Sequence, residues 1–148
     1  MKILLVEDTD FLQKYETKIL RGAGHTVKAT YDGDLAARFY DDYRYDLVLT
    51  DLWHPGLEGH NLIKRIFKKN SRQVVGVISK TTVMEEELAV PLLQKPFKPA
   101  ELLAFVNEIT GTPEQRKNAL VVRVRTGTDY DLSVFTKDMK IRFPPLGW

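Results

Sequence analysis

The chain has 148 residues, 43% of them hydrophobic and 28% charged, which is typical of a globular domain and excludes a disordered or fibrous protein. It contains no cysteine, so disulfides, thiolate metal sites and cysteine nucleophiles are excluded. The net charge of +2 indicates no partner by itself, but residues 1–111 carry 15 basic and 16 acidic residues, whereas residues 112–148 carry 7 and 4. No apolar run approaches the roughly 20 residues of a membrane span, and we expect a cytoplasmic protein without membrane contact.

The first half of the chain predicts three strands, the first of them buried on both faces, and two helices. The strands are residues 3–6, 25–31 and 46–50, and they end at Glu7-Asp8, near Tyr31 and at Asp51. Thr9 or Asp10 is expected to cap the first helix, and Asp34 the second. The side chains expected on the inner faces of these two helices are Phe11, Leu12, Tyr15 and Ile19, and then Leu35, Ala36, Phe39 and Tyr43.

The second half continues the alternation up to Gly111. A third helical stripe contains Leu62, Ile63, Ile66 and Phe67. Strands are predicted at residues 74–78, ending at Ser79, and at 92–94, ending at Lys95. The segment between these strands has room for only a turn or two of helix, at residues 84–87. A last helix is predicted from Pro99, with Leu102, Leu103, Val106 and Ile109 buried.

Strands that alternate with helices predict an α/β fold with a doubly wound, five-stranded parallel sheet. In such sheets, ligands bind at the carboxyl ends of the strands. The residues at these ends carry the chemistry that we expect to converge on one edge: Glu7, Asp8, Asp51, Ser79 and Lys95.

Three carboxylates at such an edge need compensating positive charge. At about 5 Å and an effective dielectric near 20, each pair costs roughly 3 kcal/mol. Lys95 supplies one cation, and Mg²⁺ suits the remaining oxygen ligands. Ser79 and Lys95 can bond phosphate oxygens, and a central carboxylate can attack phosphorus to form an acyl phosphate.

These residues resemble, in type and order, the receiver domain of two-component response regulators. The resemblance covers about residues 1 to 110. It rests on Glu7-Asp8, on the segment from Asp51 to Gly59 with its Pro55-Gly56 turn, on Ser79, and on Lys95-Pro96-Phe97.

The resemblance implies a role for each site residue. Asp51 would be the phosphoacceptor, assisted by Ser79 and Lys95. Mg²⁺ would be bound by Asp8, Asp51 and the Trp53 backbone carbonyl, with Glu7 acting through a water. The phosphodonor would be a histidine kinase or a phosphotransfer protein. The chain would not be an enzyme beyond catalysing its own phosphorylation and dephosphorylation.

Several positions depart from the family pattern. Lys80 follows the switch hydroxyl where a small residue is usual, and it would either crowd or attract the phosphate. Leu92 occupies the place of the switch aromatic, so the usual coupling of hydroxyl and aromatic ring is absent. His54 replaces a frequent Met. Together with the short fourth helix, these changes indicate an output face that does not work in the standard way, as in receivers attached to hybrid kinases.

Residues 112–148 differ from the rest of the chain, because their hydrophobic pattern alternates with a period of two residues. Segments 122–125, 132–136 and 139–143 predict a short antiparallel β extension with one apolar and one basic face. We therefore divide the chain into a receiver domain, 1–111, and an extension, 112–148. The apolar face would pack on the receiver or form a homodimer, and a winged-helix DNA-binding domain does not fit.

Three functions remain open at this point. The first is a phosphorylation-controlled interaction switch or phosphorelay intermediate. The second is a pseudo-receiver that signals without phosphorylation, which Lys80 and Leu92 favour. The third is a small nucleic-acid regulator acting through the basic extension, which we consider the weakest because a solvated basic face is the commoner reason for such a pattern.

Overall fold

The computed structural model describes residues 1–53, 55–80 and 90–111. Their elements alternate along the chain as β1 (Lys2–Val6), α1 (Asp10–Gly22), β2 (Thr26–Thr30), α2 (Gly33–Asp42), β3 (Leu47–Thr50), α3 (Gly59–Lys69), β4 (Val75–Ser79), β5 (Leu92–Gln94) and α4 (Pro99–Thr110). Within these ranges, the predicted strands and helices are present, with ends that shift by one or two residues. The predicted short helix at 84–87, His54 and the extension 112–148 lie outside the described residues.

The five strands form one parallel sheet in the order β2-β1-β3-β4-β5. All of the strands therefore end at the same edge. Val6 is paired with Thr50, so Glu7 and Asp51 are the next residues on two neighbouring central strands. Ser79 is paired with Gln94, so Lys95, the residue after β5, lies at the same edge beside the end of β4. The doubly wound fold predicted from the alternation is confirmed.

The sheet is covered on both faces, which explains why β1, β3 and β4 are almost continuously apolar. One core packs α2 and α3 against the sheet and includes Leu4, Val48 and Ile63. The other packs α1 and α4 on the opposite face and includes Leu5, Leu49 and Val106. No helix in the described ranges is long and apolar enough to cross a membrane.

The predicted inner face of α1 is correct only in part, because Ile19 packs against the core and Leu12 and Tyr15 are half-buried, whereas Phe11 is not on this face. Phe11 is 74% exposed, and the buried residues are Gln13, Glu16 and Leu20. Phe11 instead stacks on Tyr15, which in turn contacts the ring of Phe97. Phe11 and Tyr15, which the pattern assigned to the core, therefore contact other aromatic rings near the surface. The polar residues Gln13 and Glu16 are buried beneath the helix instead.

The predictions for α2 and α4 also need correction. The N-cap of α2 is Asp32 and not Asp34, because the Asp32 carboxylate accepts the backbone N–H groups of Asp34 and Leu35. The buried residues of this helix are Gly33, Ala36, Ala37 and Tyr40, and Phe39 packs partly buried against the core, while Leu35 and Tyr43 are exposed. In α4, Leu103 is only half-buried and Phe105 is buried.

Candidate functional site

The carboxyl edge of the sheet brings together the residues predicted to carry the chemistry. Glu7, Asp51, Ser79 and Lys95 are buried there, each less than a tenth exposed. Asp8 lies at the same edge and is exposed. The site thus combines the buried charged side chains of Glu7, Asp51 and Lys95 with one solvent-exposed carboxylate, that of Asp8.

Lys95 connects two strands through its ammonium group. The Nζ atom lies 2.6 Å from an oxygen of Glu7 and 2.7 Å from Oδ2 of Asp51. The backbone N–H of Lys95 donates to the carbonyl of Ser79, which fixes the start of the side chain at the edge of the sheet. Burial lowers the pKa of Lys95, but the hydrogen bonds to Asp51 and Glu7 outweigh this and raise it above its usual value. The ammonium therefore stays charged.

The Asp51 carboxylate is held in one orientation. Its Oδ1 atom accepts the backbone N–H of Leu52 at 2.6 Å and that of Trp53 at 3.3 Å, while Oδ2 faces Lys95. Its backbone N–H donates to the carbonyl of Val6 on the neighbouring strand. These contacts present the carboxylate at the strand end.

Glu7 is the most deeply buried acid at the edge, with 1% exposure. One of its oxygens bonds Lys95, and the other accepts the backbone N–H of Thr9. The Gln13 amide donates to the carbonyl of Glu7, which links the start of α1 to the end of β1. Burial raises the pKa of Glu7 above its ordinary value, although Lys95 opposes the shift.

The three carboxylates fit a divalent cation. Oxygens of Glu7, Asp8 and Asp51 all lie within 4.8 Å of one another. With Lys95 as the neighbouring cation, the group keeps an excess of negative charge when all three acids are ionised. An oxygen-only donor set that includes an exposed carboxylate is the kind that Mg²⁺ uses while keeping part of its water shell.

The positions that depart from the family pattern are also placed. Lys80, directly after the buried Ser79, is exposed. Leu92 is half-buried and packs against the core on the α2 and α3 side, so it provides a fixed apolar contact and not a mobile aromatic ring. Trp53 is 61% exposed.

One residue near the site was missed by the sequence prediction. Glu16 on α1 is fully buried, and neither of its carboxylate oxygens has a hydrogen-bond partner among the described residues. Burial, reinforced by the negative charge of Glu7, raises its pKa to about 8. The available signal was the spacing of Gln13, Glu16 and Leu20 at three- and four-residue intervals, which defines a helix face regardless of polarity.

Comparisons with known proteins agree with this geometry. The model of the response regulator receiver domain family matches residues 3–107. The DNA-binding response regulator MtrA of Mycolicibacterium smegmatis is 34% identical over 110 residues, which cover 71% of this chain and 48% of that protein. The chain thus spans about half the length of the curated relatives that it matches.

Solved receiver structures resemble the chain as well. The receiver domain of the sensor histidine kinase PA1611 from Pseudomonas aeruginosa, with magnesium coordinated in its active-site cleft, superposes with a TM-score of 0.70 at 28% identity. That match covers 75% of this chain and 98% of the other. The receiver of the hybrid histidine kinase CckA gives 0.66 at 27% identity, covering 75% and 100% of the two chains. The chain therefore belongs to the response regulator receiver domain family of two-component systems.

Proposed function

We propose that the chain accepts a phosphoryl group on Asp51 from a histidine kinase or phosphotransfer protein, and acts as an interaction switch or relay intermediate. The observation that carries the proposal is the pair of short contacts from Lys95 to Asp51 and Glu7 at the carboxyl edge of the sheet. A cation already bonded to the acceptor carboxylate is suited to neutralise an incoming phosphoryl group.

The chemistry assigned to Asp51 is a single displacement at phosphorus. A carboxylate oxygen of Asp51 attacks, a new P–O bond forms, and the P–N bond to the imidazole of the donor histidine breaks. The imidazole nitrogen keeps the electron pair and takes up a proton. Backbone N–H groups of Leu52 and Trp53 hold the other oxygen of Asp51, so the attacking group is oriented before the donor arrives.

Lys95 and Ser79 act on the transferred group. The ammonium of Lys95, 2.7 Å from Asp51 before transfer, then pairs with a phosphoryl oxygen. The Ser79 hydroxyl, at the end of the neighbouring strand β4, donates a hydrogen bond to another. Phosphorylation adds about −1.5 to −2 charges at a buried edge, which gives the fold an electrostatic reason to rearrange.

The metal ligands in this proposal are Asp8, Asp51 and the Trp53 backbone carbonyl, with Glu7 acting through a water. Mg²⁺ bound there supplies charge neutralisation for the phosphoryl oxygens. The magnesium in the related PA1611 receiver supports this assignment. We also propose that the chain is a phosphoacceptor that catalyses at most its own phosphorylation and dephosphorylation.

The test is the intact mass of the chain after incubation with Mg²⁺ and acetyl phosphate. We expect a gain of about 80 Da, the mass of one phosphoryl group, in the wild type. It should be absent in Asp51→Asn and after addition of EDTA. Asp46→Asn, an exposed acid at the opposite end of β3, is the matched control and should be labelled like the wild type.

A lack of labelling under conditions that label an ordinary receiver would contradict the proposal and favour the pseudo-receiver. Lys80→Ala then locates the cause, since Lys80 is an exposed cation directly after Ser79. Labelling of Asp51→Asn at the wild-type level would instead move the acceptor to another residue.

A further inference from the structure

A basic groove lies between α1 and the edge strand β2, with a volume of about 490 Å³. Three of the residues that line it are Lys14, Lys18 and Arg21 on α1. Their spacing of four and three residues places them along one face of the helix. Ala29 of β2 lies on the other side of the groove.

The groove carries an excess of positive charge. Lys14 is paired with Asp10 at 2.8 Å, and both side chains are mostly exposed. Lys18 has no ion-pair partner in the part of the chain that the structure describes, and Arg21 bonds only a neutral carbonyl, that of Val27. None of the residues lining the groove is acidic, although Asp10, at its rim, accepts hydrogen bonds from Lys14 and Tyr31. The remaining positive charge of Lys18 and Arg21 favours an anionic ligand.

The backbone of β2 adds a second, independent feature. The Thr26 N–H donates to the Met1 carbonyl and the Thr30 carbonyl accepts the Glu7 N–H, so the backbone groups of these two residues face β1. Because successive residues of a strand direct their backbone N–H and C=O groups to opposite sides, those of Val27 and Ala29 face the outer edge of the sheet. Arg21 occupies the Val27 carbonyl at 3.1 Å. In the described ranges, no strand pairs with this edge. The Ala29 N–H and carbonyl are thus available to an added strand.

We propose that this groove binds an extended acidic segment of a partner protein, which adds as a strand to the outer edge of β2. Carboxylates on the segment would pair with Lys18 and its helical neighbours, while its backbone bonds Ala29. The spacing of Lys14 and Lys18 suits such a strand, because alternate residues of a strand are about 6.8 Å apart and helix residues four apart rise about 6 Å. An open groove along a strand edge suits such a segment better than a compact ligand, which needs an enclosed pocket.

The test is a fluorescence anisotropy titration of the 148-residue chain at low salt. The probe is a labelled seven-residue peptide of alternating Glu and Thr, and a Lys and Thr peptide serves as its charge-reversed counterpart. We expect saturable binding of the Glu peptide alone, weakened at least tenfold by Lys18→Glu. Lys68→Glu, the same charge change on α3 at the opposite face of the sheet, should leave the affinity within twofold of the wild type.

The backbone contribution is tested separately with Ala29→Pro, which removes the outward N–H without changing charge, a substitution that edge strands tolerate. Circular dichroism confirms that each variant is folded. We expect at least a fivefold loss of affinity, and slower hydrogen exchange of the Ala29 amide when the peptide binds to the wild type. Labelling of Asp51 by acetyl phosphate should be unchanged in every folded variant, so this test is independent of the proposed function.

Several results would overturn the inference. The first is no binding of the Glu peptide at millimolar concentration. The second is equal affinity of the chain for the Glu and Lys peptides. The third is equal affinity of Lys18→Glu and the wild type for the Glu peptide. Unchanged affinity in a folded Ala29→Pro would reduce the groove to a general anion surface. Protection of the Ala29 amide in the chain alone would show that this edge is already covered by the chain itself.

Discussion

At the scale of single residues, Lys95 compensates the negative charge of the carboxylates at the carboxyl edge of the sheet. The ammonium has two carboxylate partners, at 2.6 and 2.7 Å, and all three side chains are buried. Removing one partner from a buried ion pair typically costs about 3–5 kcal/mol, because the remaining charge stays desolvated. Loss of the lysine would therefore destabilise the fold, and the same ammonium prepares the acceptor site.

Glu16 gives a prediction for the pH dependence of stability. Burial raises its pKa from 4.5 to about 8, so the folded state retains a proton that the unfolded state releases. The contribution of Glu16 to the unfolding free energy is fully present below pH 4.5 and is lost progressively as the pH rises to about 8. Above that pH the unfolding free energy no longer changes through this group. The slope is about 1.4 kcal/mol per pH unit, and over this window the loss amounts to roughly 4–5 kcal/mol.

The measurement is urea unfolding of the wild type and Glu16→Gln between pH 5 and 9. Gln preserves the shape of the side chain and does not titrate, so the difference in unfolding free energy isolates Glu16. We expect the wild type to lose stability relative to Glu16→Gln up to about pH 8. A difference that does not change with pH would contradict a neutral Glu16 in the folded chain.

At the scale of elements, the start of α3 is fitted closely against the end of β3. A Cβ on Gly59 would lie against the carbonyl oxygen of Asp51 and 2.6 Å from Cα of Leu52, both of which are backbone atoms that cannot rotate away. Gly59 N–H donates to the Leu52 carbonyl at 3.0 Å. Helix position and acceptor orientation are therefore coupled through this glycine.

We predict that Gly59→Ala lowers the unfolding free energy by about 1–3 kcal/mol, the usual cost of overpacking. It should also slow labelling of Asp51 by acetyl phosphate several-fold, because the backbone that orients the carboxylate must move. Thermal unfolding and the rate of mass gain measure the two effects. Gly22→Ala is the control, since nothing lies within 4 Å of its added methyl group and helices favour Ala over Gly. Equal behaviour of the two variants would refute the coupling.

At the scale of the whole molecule, sheet order decides which acids become neighbours. Chain positions 7 and 51 are adjacent because β1 and β3 pair, and the side chain of position 95, the residue after β5, reaches both of them across the end of β4. A cation that binds this edge contacts residues far apart in the chain and favours the folded state alone.

We therefore predict that Mg²⁺ raises the Tm of the chain saturably. At ten times the dissociation constant, the gain is about 1.4 kcal/mol, or a few degrees for a domain of this size. Asp8→Asn should abolish the shift, and its own Tm without Mg²⁺ should not fall, because a repelling charge is removed. Asp42→Asn, an exposed acid at the end of α2, should respond like the wild type. Differential scanning calorimetry is the measurement, and an Mg²⁺-insensitive wild type would argue against the metal site.

The amino-acid sequence determined the element order, the parallel sheet and the site residues at its carboxyl edge. The hydrophobic period and the length of each strand can be read from neighbouring residues. Because ligands bind at the carboxyl ends of parallel strands, these local patterns were enough to place Asp51 and Lys95 in the site. The family resemblance made the same assignment, and the family is confirmed.

Only the tertiary structure decided the faces of the helices and the charge state beneath the site. Which side of α1 is buried depends on how that helix meets β1, β2 and α4, so Glu16 lies inside and Phe11 outside despite their polarity. The groove beside β2 likewise arises from a helix and a strand edge that meet only in the fold. The physical reason is that burial is a property of neighbours, and most of these neighbours are distant along the chain.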